Sequence, residues 1–386
     1  MILYGYKDNI ATYMKPVSKK RVLIFSTAYY PFVGGAEVAI KEITDRFGSM
    51  YEFEMITVWL DRRLPRSEMI GNILVHRLGV QHPNYLSKLL TALLGVFKIF
   101  KLGKFDLFWC VQVSYASGPA YIYNILKFWK KVSIILTLQE GDSEEHLTKR
   151  HFGMIDLSWR LALRRTAQVT AISNYLALRA NRLGYRGEPS VVPNGVSEEF
   201  FDVGKINHEG TVLITTSRLV KKNAVGDIIE TLKFLPETVR LLIAGDGILR
   251  SDIEDLVQRS DLGARVKFLG AIGHNKLPEL LACADIFIRP SLSEGLGISF
   301  LEAMAAGLPV IATPVGGIPD FLKDHVTGLF CEIGNPKSIA SKVRELMSDN
   351  NLREKIIKNA RELVIAKYNW DDISLDMLKI FNETST

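Results

Sequence analysis

Glu294 and Glu302 stand with seven residues between them in the stretch SEGLGISFLEAMAAGLPVIATP, which runs from Ser293 to Pro314. The first acid sits in a Gly-rich turn and the second in an Ala-rich run with a helical pattern. The apolar run IFIRPS before the turn reads as a buried strand. A Gly-rich turn between strand and helix offers bare backbone N–H groups at a helix N-terminus, and such groups face an anion. Gly295 and Gly297 let that backbone come close, so Gly295, Leu296, Gly297 and Ile298 form a candidate phosphate cradle. Glu302, about one turn into the helix, could accept hydrogen bonds from two neighbouring ribose hydroxyls. Glu294, before the turn, could take hydroxyls of a second sugar. A diphosphate flanked by two polyol-binding acids outlines a nucleotide-sugar. Each acid alone would read as an ordinary loop acid or a first-turn acid; the whole string changes that balance.

These residues need elements to hold them. Runs such as RVLIFST, EFEMITVW, FDLFWCVQV and VSIILTLQ alternate with helical patterns such as GGAEVAIKEITDRF. This alternation predicts parallel sheets covered on both faces by helices. The pattern breaks over 189–210 and restarts with TVLITTSRL, VRLLIAGDG, VKFLG, IFIRPS and PVIATP. The break reads as a linker between two doubly wound α/β domains of similar size. Ligands bind outside the carboxyl ends of such strands, so two linked sheets create a cleft.

Length fits this reading, since 386 residues suit two domains. The three cysteines, Cys110, Cys283 and Cys331, lie far apart with no CxxC pair, against a disulfide framework or a zinc site. The seven histidines show no metal-ligand spacing. The first twenty residues lack the apolar stretch of a signal peptide, and no apolar run is long enough to span a bilayer, so a cytoplasmic location is expected. The net charge of +6 is small for the length and does not by itself indicate a nucleic-acid partner.

The string from Ser293 to Pro314, continuing through VGGIPDFLKDHVTGLF, resembles the E-x7-E signature of family 4 retaining glycosyltransferases, which have the GT-B fold. Further segments share the resemblance. PFVGGAE resembles the Gly-Gly loop after the first strand, which would turn Gly34 and Gly35 toward the donor phosphate or the acceptor. VVPNGV resembles the linker motif. TTSRLVKKN places Arg218 where the family holds a phosphate-binding arginine. YNWDD precedes a last helix that crosses back to the first domain in the family. The resemblance implies Rossmann-like domains over 1–200, rejoined by about 370–386, and over 201–369. It also implies a nucleotide-sugar donor on the second domain and a glycan, lipid-linked or small-molecule acceptor on the first. Neither cofactor nor metal is implied.

Departures from the family pattern are specific. Many members carry Lys-Gly where this chain has Asn223 and Ala224; Lys222 could supply the second phosphate charge from a shifted position, or be an ordinary surface residue. Gln139 stands where many members place a histidine near the donor sugar. Asp320 stands where Glu is usual. Glu294, Arg218, Lys222 and Gln139 are therefore the candidate catalytic residues. Other readings of the fold are a non-catalytic nucleotide-sugar-binding protein, an epimerase or a phosphorylase.

Finally, YLSKLLTALLGVFKIFKLGK (Tyr85 to Lys104) carries Leu86, Leu89, Leu90, Leu93, Phe97 and Phe100 as a helical stripe, with Lys88, Lys98, Lys101 and Lys104 and no acid. A periodic stripe first predicts a crossover helix packed on the first sheet. The lysine edge gives the second reading, a helix lying on an anionic membrane surface at the inner face.

Overall fold

The computed structural model describes residues 19–79, 85–141 and 154–385, with side chains omitted for 85–89 and 154–155. The first sheet is built from β1 (Lys20–Ser26), β2 (Tyr51–Val58), β3 (Ser67–Ile70), β4 (Ile73–Leu78), β5 (Leu107–Val111), β6 (Ser133–Leu138), β7 (Gln168–Ala171) and β8 (Ser190–Val191). Their order across the sheet is β3-β4-β2-β1-β5-β6-β7-β8, with β3 at one edge and the direction of winding reversing at β1. The second sheet comprises β9 (Thr211–Thr216), β10 (Val239–Ala244), β11 (Val266–Gly270), β12 (Ile286–Arg289), β13 (Val310–Ala312) and β14 (Leu329–Phe330), in the order β11-β10-β9-β12-β13-β14. The structure therefore has the two doubly wound sheets expected from the alternation.

Central strands are apolar on both sides because both faces are covered. In β1, Val22 and Ile24 enter one buried cluster, with the helix Gly35–Phe47 and the last helix Trp370–Thr384. Leu23 and Phe25, pointing the other way, enter a second cluster. That second cluster crosses the junction through Val196, Phe200 and Tyr368 and continues to Leu296 and Phe300. The last helix thus packs Trp370, Ile373, Met377 and Phe381 on the first sheet, although it follows the second in sequence.

Two expectations need correction. The first sheet is not wholly parallel, because β3 and β4 pair antiparallel as an edge hairpin. Their short, mixed sequences, SEMI and ILVHRL, lack the long apolar run of a buried strand. The stripe on the helix Tyr85–Leu102 is also not a packed face. Leu90, Leu93, Phe97 and Phe100 are exposed, and the helix instead buries Thr91, Ala92, Val96 and Ile99. The smaller side chains face the sheet because the neighbouring helix Gly118–Leu126 comes close there: a Cβ on Gly95 would lie 2.4 Å from the Pro119 ring. The side chains of Leu86, Lys88 and Leu89 lie outside the described residues.

Candidate functional site

β12 ends at Arg289, and the Gly-rich turn carries the chain to the helix Ile298–Ala305. Gly297 caps that helix with φ +88°, a conformation that favours glycine, and no side chain caps the first turn. Glu294 stands at the start of the turn. Its Oε1 accepts from the Gly295 N–H at 2.9 Å and its Oε2 from Arg289 Nη2. Glu302 lies within the helix, 3% exposed, with Oε1 2.7 Å from His274 Nε2. That hydrogen bond raises the His274 pKa, while burial opposes it. His274 in turn packs on Phe200, with ring centroids 5.3 Å apart.

The first domain meets this turn directly. Gln139 and Glu140 follow β6, and Gly141 lies against the Gly-rich turn: a Cβ on Gly141 would come 2.7 Å from the Gly295 nitrogen. Ser293 Oγ donates to the Gly141 carbonyl at 2.9 Å. Gly35 also reaches the turn, since a Cβ there would lie 3.7 Å from Ile298 Cγ2 and 3.3 Å from Asn194 Nδ2. Gly34 precedes it as the exposed cap of the helix Gly35–Phe47. Asp320 joins the domains as well, accepting from the Asn174 N–H at 2.8 Å.

Arg218 is exposed at the end of β9 and acts electrostatically on Glu37 across the cleft. Burial raises the Glu37 pKa; its own backbone N–H, that of Gly34 and Arg218 hold it down. Asn223 does not point outward as a lysine there would. It is buried, and its Nδ2 donates to the Arg218 carbonyl at 2.7 Å, closing the turn that carries Arg218. Ala224 then adopts φ +49°, the left-handed region. Lys222 lies on the same turn and its carbonyl accepts from the Leu292 N–H at 2.7 Å, tying this turn to the loop after β12.

The structure thus gathers Gln139, Gly35, Glu294, Gly295, Leu296, Gly297, Ile298 and Glu302 around one turn, with Arg218 and Lys222 on the adjacent loop. Sequence reading missed Arg289, His274, Asn194, Glu37 and Glu140. Arg289 was visible only as a charge inside an otherwise apolar strand. Glu140 accepts backbone N–H groups from Val113 at 2.6 Å and Gln139 at 3.1 Å; burial nevertheless pushes its carboxyl up to about 7. Chemically, the turn pairs backbone N–H groups and a nearby cationic loop with two carboxylates, which suits an anion joined to polyols. Among the described residues, no group of three or more His, Cys, Asp or Glu could hold a metal ion.

Comparison with known proteins agrees with this arrangement. The family profile described as Glycosyltransferase Family 4 matches residues 33–200, and that described as Glycosyl transferases group 1 matches 196–363. An uncharacterized glycosyltransferase of Methanocaldococcus jannaschii is 28% identical over 391 residues, covering 94% of this chain and 97% of that protein. The N-acetyl-alpha-D-glucosaminyl L-malate synthase of Bacillus anthracis is 28% identical over 365 residues, covering 89% of this chain and 92% of that one. An Anabaena protein solved in complex with UDP-glucose superposes with a TM-score of 0.78 at 19% identity, over 94% of this chain and 99% of that one. With both domains matched in chain order and the turn of Glu294 and Glu302 between the two sheets, this chain belongs to the family 4 glycosyltransferases of the GT-B fold.

Proposed function

We propose that this glycosyltransferase moves a hexose, with retention of anomeric configuration, from a nucleoside-diphosphate sugar to a hydroxyl of a glycan, lipid-linked or small-molecule acceptor. The observation that carries the reading is the turn from Ser293 to Ile298. It sets Glu294 and Glu302 on either side of an uncapped helix N-terminus and abuts Gln139–Gly141 of the other domain. The diphosphate would lie on the backbone of Gly295 to Ile298, with Gly34 and Gly35 approaching from the first domain. The ribose would lie on Glu302 and the transferred sugar on Glu294 and Gln139. Similar proteins support the substrate class: one is solved with UDP-glucose and another is an N-acetyl-alpha-D-glucosaminyl L-malate synthase.

As the bond to the leaving oxygen breaks, negative charge grows on the diphosphate. Arg218 and Lys222 stabilise it where other enzymes use a divalent cation. The leaving phosphate oxygen takes the proton of the attacking hydroxyl on the same face of the sugar, so no protein base is assigned. The donor belongs to 201–369 and the acceptor to 1–200 with the returning last helix.

The acceptor is presented at an anionic membrane surface on the cytoplasmic side. Leu90, Leu93, Leu94, Phe97 and Phe100 are exposed on the helix Tyr85–Leu102, beside exposed Phe128 and Trp129. Lys98, Lys101, Lys104, Lys127, Lys130 and Lys131 surround them, and no acid occurs in 85–105 or 118–132. Lys127 Nζ sits 5.5 Å from the Phe100 ring, joining the two apolar segments. Apolar side chains rimmed by cations match the headgroup boundary of anionic lipid. No helix among the described residues is long and apolar enough to cross a membrane.

The test is a thermal-shift panel of UDP-, GDP- and ADP-sugars, followed by turnover with the stabilising donor in excess EDTA. NMR of the product reads the anomeric configuration. Inversion, or activity abolished by EDTA and restored by Mg²⁺ or Mn²⁺, would contradict the reading. Binding of a donor with no transfer to any acceptor would support a non-catalytic sugar-nucleotide-binding protein.

A further inference from the structure

Arg289 is the last residue of β12 and is only 6% exposed. A guanidinium in such a place must find partners on all sides, because leaving a buried cation unpaired is costly. Its three nitrogens do so on three different segments. Nε donates to Ser291 Oγ at 3.2 Å, just after the strand. Nη1 donates to Ser299 Oγ at 2.6 Å, in the first turn of the helix that carries Glu302. Nη2 donates to Glu294 Oε2. The plane lies over the Phe300 ring at 4.2 Å, and a Cβ on Gly297 would meet Nη2 at 2.8 Å. The arginine is therefore packed directly beneath the Gly-rich turn and touches both of its ends.

The consequence for Glu294 is geometric. Each carboxylate oxygen has room for two hydrogen bonds. Oε1 takes the Gly295 N–H and Oε2 takes Arg289, so each oxygen keeps one direction for a further donor. The carboxylate is fixed in rotation and still able to accept two hydroxyls. Without Arg289 it would be a half-buried acid on a rotatable side chain, anchored only by the amide next to it.

We propose that Arg289 is a positioning residue for the donor sugar: it sets the orientation of the Glu294 carboxylate and locks it to the helix that carries Glu302. This rests on the reading of Glu294 as the acid that binds the transferred sugar. Arg289 itself touches neither sugar nor nucleotide. Its removal should therefore affect the sugar-dependent step while sparing bare nucleotide affinity.

The experiment compares Arg289→Met, Arg289→Lys, Glu294→Ala and the double variant Arg289→Met/Glu294→Ala in the full chain. Turnover is measured with the donor found by the panel, and the dissociation constant of the bare nucleoside diphosphate by calorimetry. Arg289→Met should lose about ten- to a hundredfold in kcat, the range for a charged hydrogen bond, with nucleotide affinity changed about twofold at most. Arg289→Lys should recover part of the loss, and Arg289→Met should add little to Glu294→Ala. Impaired Glu294→Ala beside fully active Arg289→Met would overturn the inference alone. So would equal losses of kcat and nucleotide affinity in Arg289→Met, or full additivity in the double variant, since both describe a general structural role. Full activity of Glu294→Ala would overturn the reading of Glu294, and the inference with it. Should Arg289→Met fail to fold, the same comparison with Arg289→Lys decides, and a Lys variant with unchanged kcat counts against the inference.

Discussion

Asn194 holds Gln139 by its side chain: Asn194 Nδ2 donates to Gln139 Oε1 at 3.1 Å, and the same nitrogen donates to the Gly35 carbonyl at 3.3 Å. One buried amide from the VVPNGV segment thus ties together two loops that face the Gly-rich turn. It also leaves the Gln139 amide nitrogen as the donor end of that side chain.

If that orientation matters, Asn194→Ala and Gln139→Ala should each lower turnover by a neutral hydrogen bond, roughly 0.5–1.5 kcal/mol. The double variant should be little worse than either single one. Gln139→His should retain activity, because an imidazole nitrogen can accept from Asn194, and should add a pH dependence near neutrality. Steady-state rates across pH check this; strictly additive losses would show that the two amides act independently.

Glu302 and Glu294 should separate by ligand. Glu302→Ala should weaken bare nucleoside diphosphate, losing roughly 1.5–3 kcal/mol for a charged hydrogen bond. Glu294→Ala should bind the bare nucleotide nearly as the parent does, yet turn over the sugar donor slowly. Calorimetry with nucleotide alone, set beside donor kinetics, distinguishes the two. Equal losses of nucleotide affinity would end this division of labour.

Glu140 predicts a pH dependence of stability. Burial raises its carboxyl from 4.5 to about 7 in the folded chain. The folded state then holds the proton more tightly than the unfolded one between those values, so stability falls as pH rises through about 7. The displacement corresponds to roughly 3 kcal/mol. Denaturant melts at pH 5 and pH 8 should show a smaller difference in Glu140→Gln than in the parent, and an identical difference would exclude Glu140 as the cause.

Gly141→Ala tests the contact between the domains. Its Cβ would press on the Gly295 nitrogen at 2.7 Å and on Glu294 Oε1 at 3.1 Å. These neighbours are backbone and a pinned side chain, so the domains must part or the turn must shift. Turnover should drop at least about tenfold, since small misplacements at a reacting centre cost rates of this order. The melting temperature should move only a few degrees, of the order of 1 kcal/mol. Unchanged turnover would mean that the closed contact is not needed for the reaction.

The apolar and lysine-rich surface should bind anionic vesicles at low salt and release them at high salt. Replacing Lys101, Lys104, Lys130 and Lys131 by Gln should weaken cosedimentation, as should Phe128→Ala with Trp129→Ala. Transfer to a soluble acceptor should be unaffected in both. No cosedimentation of the parent with anionic vesicles at low salt would reject the membrane assignment.

What the sequence determined by itself was everything carried by local period and local turn chemistry. Apolar runs bounded by Gly and Pro gave the strands around Leu23, Ile214 and Phe287, and helical periodicity gave the segments between them. The Gly-rich turn after IFIRPS located the Glu294 and Glu302 neighbourhood, because a strand, a glycine turn and a helix lie within one short segment. The tertiary structure decided what depends on residues distant in sequence. Even within one short segment, only the folding-back of the Gly-rich turn closes Glu294, Ser299 and Phe300 around Arg289. His274, after β11, meets Glu302 of the helix Ile298–Ala305 across 28 positions, and Asn194, after β8, meets Gln139, after β6, across 55, so neither pair is visible in local sequence. The stripe of Leu90, Leu93, Phe97 and Phe100 shows the limit most plainly. A 3.6-residue period states that one face of a helix is apolar, but whether that face is covered depends on which elements pack beside it. Here Pro119 draws the small side chains inward at Gly95 and leaves the large ones outside.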